Sequence, residues 1–211
     1  MTARLEPVTF PGPAGRLEGL WKDAAPPRRG GAAFAHPHPL FGGTLHNKVV
    51  FRATKAFVEA GWGTLRFNFR GVGLSEGSHD AGRGEVEDVR AALDETERRA
   101  GLPLLAGGFS FGAAAALRAV HGDSRVVAFV GIGLPVATDS AAGFRRPEIP
   151  ALFVVGERDT FGPPSHLRAF VGDSGRIVEV PGADHFFEGK LIELEAAIGT
   201  FLGTLPVSSR A

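Results

Sequence analysis

The chain contains no cysteine, which excludes disulfides, thiolate nucleophiles and cysteine-ligated metal centres together. It has no excess of charge of either sign. Lys and Arg total 23 and so do Asp and Glu, so no overall field draws the chain to nucleic acid or to an anionic membrane surface. Long hydrophobic runs are also missing: no apolar stretch approaches the roughly 18 residues that span a bilayer. The segment Met1-Thr2-Ala3-Arg4-Leu5-Glu6-Pro7 lacks the apolar core of a secretory leader, and a cytoplasmic protein with no membrane insertion is expected. No repeat or low-complexity block occurs, and 211 residues suit a single α/β domain. The expectation is one domain over residues 1–211, with an ordered core over 1–204 and a tail over 205–211.

What is present is an alternation of short apolar runs and amphipathic stretches. Leu5 to Phe10 and Arg16 to Trp21, separated by Pro11-Gly12-Pro13-Ala14-Gly15, read as an antiparallel strand pair. Further strands are expected at Ala32 to Ala35, Thr64 to Phe69, Leu104 to Phe109, Val126 to Ile132, Ala151 to Val155 and Arg176 to Val180. Between them, Val49, Ala53, Ala56, Phe57 and Ala60 form one helical stripe ended by Gly61, and Leu191, Leu194, Ile198, Phe201 and Leu202 form another. A helix near Glu85 to Arg99 opens on acidic residues and closes on Arg98 and Arg99, as the helix dipole favours. Strands alternating with helices imply an α/β fold with a mainly parallel, doubly wound sheet, whose ligands bind beyond the carboxyl ends of the strands.

One such end carries Gly108-Phe109-Ser110-Phe111-Gly112, placed between a predicted strand and a predicted helix. A strand turning sharply into a helix lifts a serine hydroxyl clear of the sheet, and glycines two residues to either side let the backbone crowd there. With 30 glycines in the chain the pattern recurs: Gly73-Leu74-Ser75-Glu76-Gly77 also fits, but turn residues follow it and no helix begins on its second glycine. Context selects Ser110 as the candidate nucleophile.

A serine hydroxyl needs a base. Of the seven histidines, His185 lies in the loop after the last predicted strand, at the correct end of the sheet. An imidazole in turn needs an acid to hold its tautomer. Asp159 follows the preceding strand; Asp139 is a rival, and Asp184, adjacent in sequence to His185, is more suited to ordering its own turn. Two amides are then required for an oxyanion. Phe111 supplies the first. The second is expected from His36-Pro37-His38-Pro39-Leu40-Phe41-Gly42-Gly43, where the prolines have no N–H, leaving His38, or alternatively Leu40. His36 and His38 lack clear third and fourth partners for a metal, so neither metal nor cofactor is predicted.

These residues resemble the serine α/β-hydrolase superfamily, in its small lidless bacterial branch of esterase- and dienelactone-hydrolase-like proteins. The similarity spans nearly the whole chain. It rests on His36 to Gly43, Arg66-Phe67-Asn68-Phe69-Arg70-Gly71-Val72-Gly73-Leu74-Ser75-Glu76-Gly77, the Ser110 turn, Gly156-Glu157-Arg158-Asp159 and Ala183-Asp184-His185-Phe186-Phe187. The resemblance implies an eight-stranded, mainly parallel sheet with helices on both faces and a catalytic Ser110, Asp159 and His185. The chain departs from the superfamily in having His36-Pro37 where many members show His-Gly, and Asn68 where peptidase-like relatives carry aspartate. Only Leu134 to Pro150 is available where larger relatives insert a cap, so an open cleft for a small-molecule acyl substrate is expected. Phe41, Phe109, Phe111 and Phe161 are its candidate apolar walls. Arg145 and Arg146 read as a solvated pair rather than a grip on an anion.

The expected activity is a carboxylesterase on small or medium acyl esters. A thioesterase or peptidase would use the same triad, and a noncatalytic ligand-binding protein would keep the fold without the chemistry. Nucleic-acid and dinucleotide readings fail: Arg66 to Arg70 reads as a buried strand, and no Gly-x-Gly-x-x-Gly occurs.

Overall fold

The computed structural model describes residues 5–206. Strands β1 (Leu5–Gly12) and β2 (Gly15–Lys22) form a hairpin closed where Gly12 faces Gly15. The alternation of the two strands buries Val8, Phe10, Leu17 and Trp21 on one face. Next come β3 (Gly30–Ala35), α1 (Lys48–Glu59), β4 (Trp62–Phe67), α2 (Arg83–Ala100), β5 (Leu104–Phe109) and α3 (Phe111–Ala119). The chain continues with β6 (Val126–Ile132), β7 (Ala151–Gly156), α4 (Pro164–Val171), β8 (Arg176–Val180) and α5 (Leu191–Thr204). The sheet has eight strands in the order β1-β2-β4-β3-β5-β6-β7-β8, antiparallel through β4 and parallel from β4 to β8. Strands β3, β4, β5 and β7 are buried at every position, as a sheet covered on both faces requires.

Two cores result. On one face, Val49, Val50, Ala53 and Phe57 of α1 and Leu194, Ile198 and Phe201 of α5 pack on Phe34, Leu105 and Val130. On the other, Val86, Val89 and Leu93 of α2, the alanines of α3 and Leu167 of α4 pack on Phe67, Ala106 and Phe153. The strand order reverses beside β3, which has β4 on one side and β5 on the other. The loops leaving β3 and β5 therefore part and open a crevice at the carboxyl edge. Residues 133–150 hold one short 3₁₀ turn, Asp139–Ala141, and build no cap. Leu205 is buried; of the expected tail, residues 207–211 lie outside the described residues, as do residues 1–4 of the expected core.

All eight strands fall where the apolar runs predict them, with one informative difference. The expected strand from Thr64 to Phe69 begins at Trp62 and ends at Phe67. Beyond that point the Asn68 amide donates to Glu18 O (2.8 Å), the Phe69 amide to His36 Nε2 (3.1 Å) and the Arg70 amide to Asp88 Oδ2 (3.0 Å). Apolar character persists and the Asn68 amide still pairs with the β2 backbone, but the side chains of His36 and Asp88 have taken the next two amides. The interleaved Arg66 to Arg70 segment is buried throughout, with Arg66 over the Phe51 ring at 5.4 Å.

Arg70 anchors the loop after β4 to α2. Its guanidinium meets the fully buried Asp88 carboxylate at 2.8 Å and donates to Gly84 O at 2.7 Å. Asp88→Ala strands a buried cation, so unfolding in urea should show a loss of about 3 kcal/mol with unchanged m-value; a loss below about 1 kcal/mol would contradict this account.

Candidate active site

Ser110 stands between β5 and α3 with φ 55° and ψ −118°, a left-handed conformation rare for a residue with a side chain. Its amide is held by Ile132 O at 2.8 Å. The flanking glycines are needed for approach: a Cβ on Gly112 would fall 2.4 Å from His36 O, and one on Gly108 would fall 2.3 Å from the Gly112 carbonyl carbon. Ser75, in the competing sequence match, is a turn residue. Its hydroxyl donates to Asn68 O (2.8 Å) and accepts from the Glu18 amide (2.9 Å).

His185, on the loop after β8, has Nε2 at 2.9 Å from Ser110 Oγ and Nδ1 at 2.8 Å from Asp159 Oδ2. The carboxylate accepts, so the ring carries its proton on Nδ1 and turns the Nε2 lone pair toward the hydroxyl. Asp159 is 2 % exposed. Its other oxygen accepts from the amides of Phe161 (2.9 Å) and Gly162 (3.0 Å), which folds the loop after β7 around it. Asp184 orders its own turn, accepting from the Phe186 amide at 3.0 Å. Asp139 lies in the cleft wall. Rings of Phe161 (4.6 Å), Phe109 (5.2 Å) and Phe186 (5.3 Å) surround the His185 imidazole and limit its rotation.

In the loop after β3, the 3₁₀ turn Pro39–Phe41 consumes most amides. Leu40 donates to His38 Nδ1 (3.2 Å), Phe41 and Gly43 to His38 O (both 3.1 Å), and Gly42 to Pro39 O (3.3 Å). Among the described residues the amides of His38 and Phe111 have no acceptor. The alternative donor, Leu40, is thus already spent.

His36 clamps this loop to its neighbour. Its ring donates from Nδ1 to Pro37 O (2.6 Å) and accepts at Nε2 from the Phe69 amide (3.1 Å). Both partners fix their own roles, so the ring is neutral with its proton on Nδ1. Burial lowers its pKa to about 4 against a weaker opposing effect of the Pro37 carbonyl. Neither ring nitrogen is free for a metal, and no cluster of three or more His, Cys, Asp or Glu suited to a metal occurs among the described residues.

The cleft over Ser110 has a volume of about 700 Å³. Phe41, 85 % exposed, and Phe161, 46 % exposed, are open walls with Phe111. Phe109 touches the cleft but is 1 % exposed, and packs beneath His185 and against Phe187. Sequence reasoning missed His79, Phe186, Pro135 and Thr138 in the lining. His79 sits in the turn dismissed with the second serine motif, yet that turn follows β4 at the carboxyl edge, which is the signal that would have found it. The Arg146 guanidinium lies away from the cleft, donating to the carbonyls of Ala169 (3.3 Å) and Phe170 at the end of α4. No helix among the described residues is long and apolar enough to cross a membrane.

No protein-family model matches the chain. An uncharacterized protein of Rickettsia prowazekii is 37 % identical, with 94 % of this chain and 89 % of that protein covered. Among solved structures, an alpha-beta serine hydrolase homologue from Coxiella burnetii is 36 % identical with a TM-score of 0.86, covering 95 % of this chain and 97 % of that one. An α/β serine hydrolase without lid from Xanthomonas campestris is 30 % identical with a TM-score of 0.85, covering 96 % and 95 %.

The neutral His36 ring makes stability depend on pH. Unfolded, this imidazole titrates near 6.5; folded, near 4. Between those values the unfolded chain holds the additional proton, so acidification from pH 6.5 to 4 should remove roughly 3 kcal/mol that is fully present above pH 6.5. Urea unfolding of wild type and His36→Asn across this window measures it. The variant should be weaker at pH 7 and lose less on acidification; parallel pH profiles would refute the assignment.

Proposed function

The chain belongs to the lidless α/β serine hydrolases, and from that premise we propose that it is a carboxylesterase for small and medium acyl esters, working through an acyl-enzyme on Ser110. The observation that carries this reading is the continuous relay from Asp159 through His185 to Ser110, with contacts of 2.8 and 2.9 Å. As Ser110 Oγ bonds to the ester carbonyl carbon, its proton passes to His185 Nε2, and the buried Asp159 carboxylate stabilises the imidazolium. The carbonyl oxygen, now an oxyanion, is received by the free amides of Phe111 and His38. The C–O bond to the alcohol breaks, and His185 returns the proton to that leaving oxygen. Water then attacks the acyl-enzyme by the same route, with Ser110 as leaving group. No cofactor takes part.

The absence of a cap supports small and medium substrates. An open cleft of about 700 Å³ with Phe41 and Phe161 exposed at its mouth offers apolar surface for a short acyl chain, and nothing encloses a long one.

A fluorophosphonate probe with peptide mapping tests the nucleophile: labelling at Ser110, abolished in Ser110→Ala, is expected, and a folded protein left unlabelled overturns the reading. In kinetics, Asp159→Asn should lower kcat by about 10⁴-fold on a butyryl ester, because the ring then loses the tautomer that offers Nε2 as base. Across a series of matched esters, rates should peak at acetyl to octanoyl chains, and ester rates should exceed those of matched thioesters and amides. A peak on emulsified long-chain esters would exclude the size class.

A further inference from the structure

On the side of Ser110 away from His185, two more histidines wall the cleft, and acyl transfer uses neither side chain. His38 follows β3 and His79 follows β4; their ring centroids are 5.2 Å apart and both border the cleft. Strands β3 and β4 lie to one side of β5, and β6 and β7 to the other. The pair therefore occupies the end of the cleft opposite Phe161 and Asp139.

One nitrogen of each ring faces a fixed group of the protein. His38 Nδ1 accepts from the Leu40 amide, so the proton of the neutral ring is on Nε2, a donor. Burial, and then the neighbouring His79, hold the His38 pKa below its ordinary value, which favours that neutral ring. His79 Nδ1 lies 2.7 Å from Oε1 of Glu85, off the line of a hydrogen bond. The Glu85 carboxylate is fully buried and its oxygens accept from the amides of Asp80 and Gly82, both at 2.9 Å. Opposite such an acceptor, the neutral His79 ring carries its proton on Nδ1, which leaves Nε2 as a lone-pair acceptor. The two rings so differ in kind: one remaining nitrogen donates and the other accepts.

The surroundings are apolar. Phe41 lies 4.7 Å and Phe111 4.8 Å from the His38 ring, and Phe111 lies 5.7 Å from that of His79. Once a substrate covers such a seat, an unmade hydrogen bond is costly. A hydroxyl both donates and accepts and so matches the pair; a carboxylate has no proton for His79 and would sit beside the buried charge of Glu85. Resting on the esterase reading, we infer that His38 and His79 form a subsite for a hydroxyl group on the substrate, so that the esters this protein takes carry a hydroxyl on the apolar arm running toward β4.

The test uses methyl esters of benzoate, phenylacetate and phenylpropionate, each with and without a para hydroxyl, which sample three arm lengths. Wild-type kcat/KM should favour the hydroxylated member of at least one pair by about tenfold or more, mainly through KM. His79→Phe, which removes the acceptor, should cut that preference to about twofold or less, and His79→Gln, which keeps an acceptor, should retain part of it. Ratios within about twofold for all wild-type pairs, as a water held between the rings would give, overturn the inference, and so does a preference that survives His79→Phe. Calorimetric binding of the corresponding free acids to Ser110→Ala separates the two readings. A hydroxyl preference there without wild-type turnover sinks the esterase and keeps the subsite; turnover without preference does the reverse.

Discussion

The rim of this molecule depends on how closely the backbone of β3 passes the first turn of α3. At Gly112 the Ala35 and His36 carbonyl oxygens come so near that a Cβ would fall 2.5 and 2.4 Å from them. That approach sets the loop after β3 beside the amide of Phe111, and so brings two free donors from distant parts of the chain to one side of Ser110. The same packing forces the serine into a conformation that costs about 1–3 kcal/mol. The strain persists because both sides of the turn are fixed: the Ser110 amide is bonded to β6, and His36, whose carbonyl crowds Gly112, is itself clamped to the loop after β4.

Much of this was legible in the residues. Short apolar runs marked the inner strands because a parallel sheet buries both faces and leaves a strong local signature, while the edge hairpin was marked by the Pro11 to Gly15 turn between its two runs. Ser110 was distinguishable from Ser75 because a strand before and a helix after are also local features. The end of β4 was not legible. It is set by the side chains of His36 and Asp88, each at least 18 positions from the amide it takes, and such capture leaves no mark on the apolar pattern. That the Leu40 amide already has an acceptor was likewise hidden, since it depends on where the His38 ring folds within its own turn. His79 was overlooked for a different reason: a turn between strand and helix carries no periodicity, and only its position at the carboxyl edge marks it.

Asn68 shows how a departure from the pattern of peptidase-like relatives becomes structure. Its carbonyl oxygen accepts from the Leu45 amide at 2.8 Å, and its amide nitrogen donates to Glu18 Oε2 at 2.7 Å. Aspartate has no proton for the second contact and would face the Glu18 carboxylate instead. The same Glu18 oxygen accepts from the Leu74 amide at 2.8 Å, so one carboxylate on β2 ties the antiparallel edge of the sheet to the loop after β4 directly, and to the segment entering α1 through Asn68. The edge hairpin is in this way part of the scaffold of the site.

With no cap to close over substrate, the cleft stays open to water, and selection cannot draw on a closing motion. Fixed groups must do the work. Four bordering segments are accordingly pinned by a side chain that accepts their backbone amides: Asp159 after β7, Asp184 after β8, Glu85 after β4 and Asn68 for the segment entering α1. Ordering these loops during folding removes that entropic cost from the binding step. The expected consequence is a site that recognises its substrate by hydrogen bonds of set direction within an apolar wall, where a mismatched group covers a donor or acceptor and leaves it unpaired. In a chain without cysteine or tyrosine, three imidazoles border this cleft among the described residues: His38, whose Nδ1 accepts the Leu40 amide, His79, which faces the buried Glu85 carboxylate, and His185, bonded to the buried Asp159.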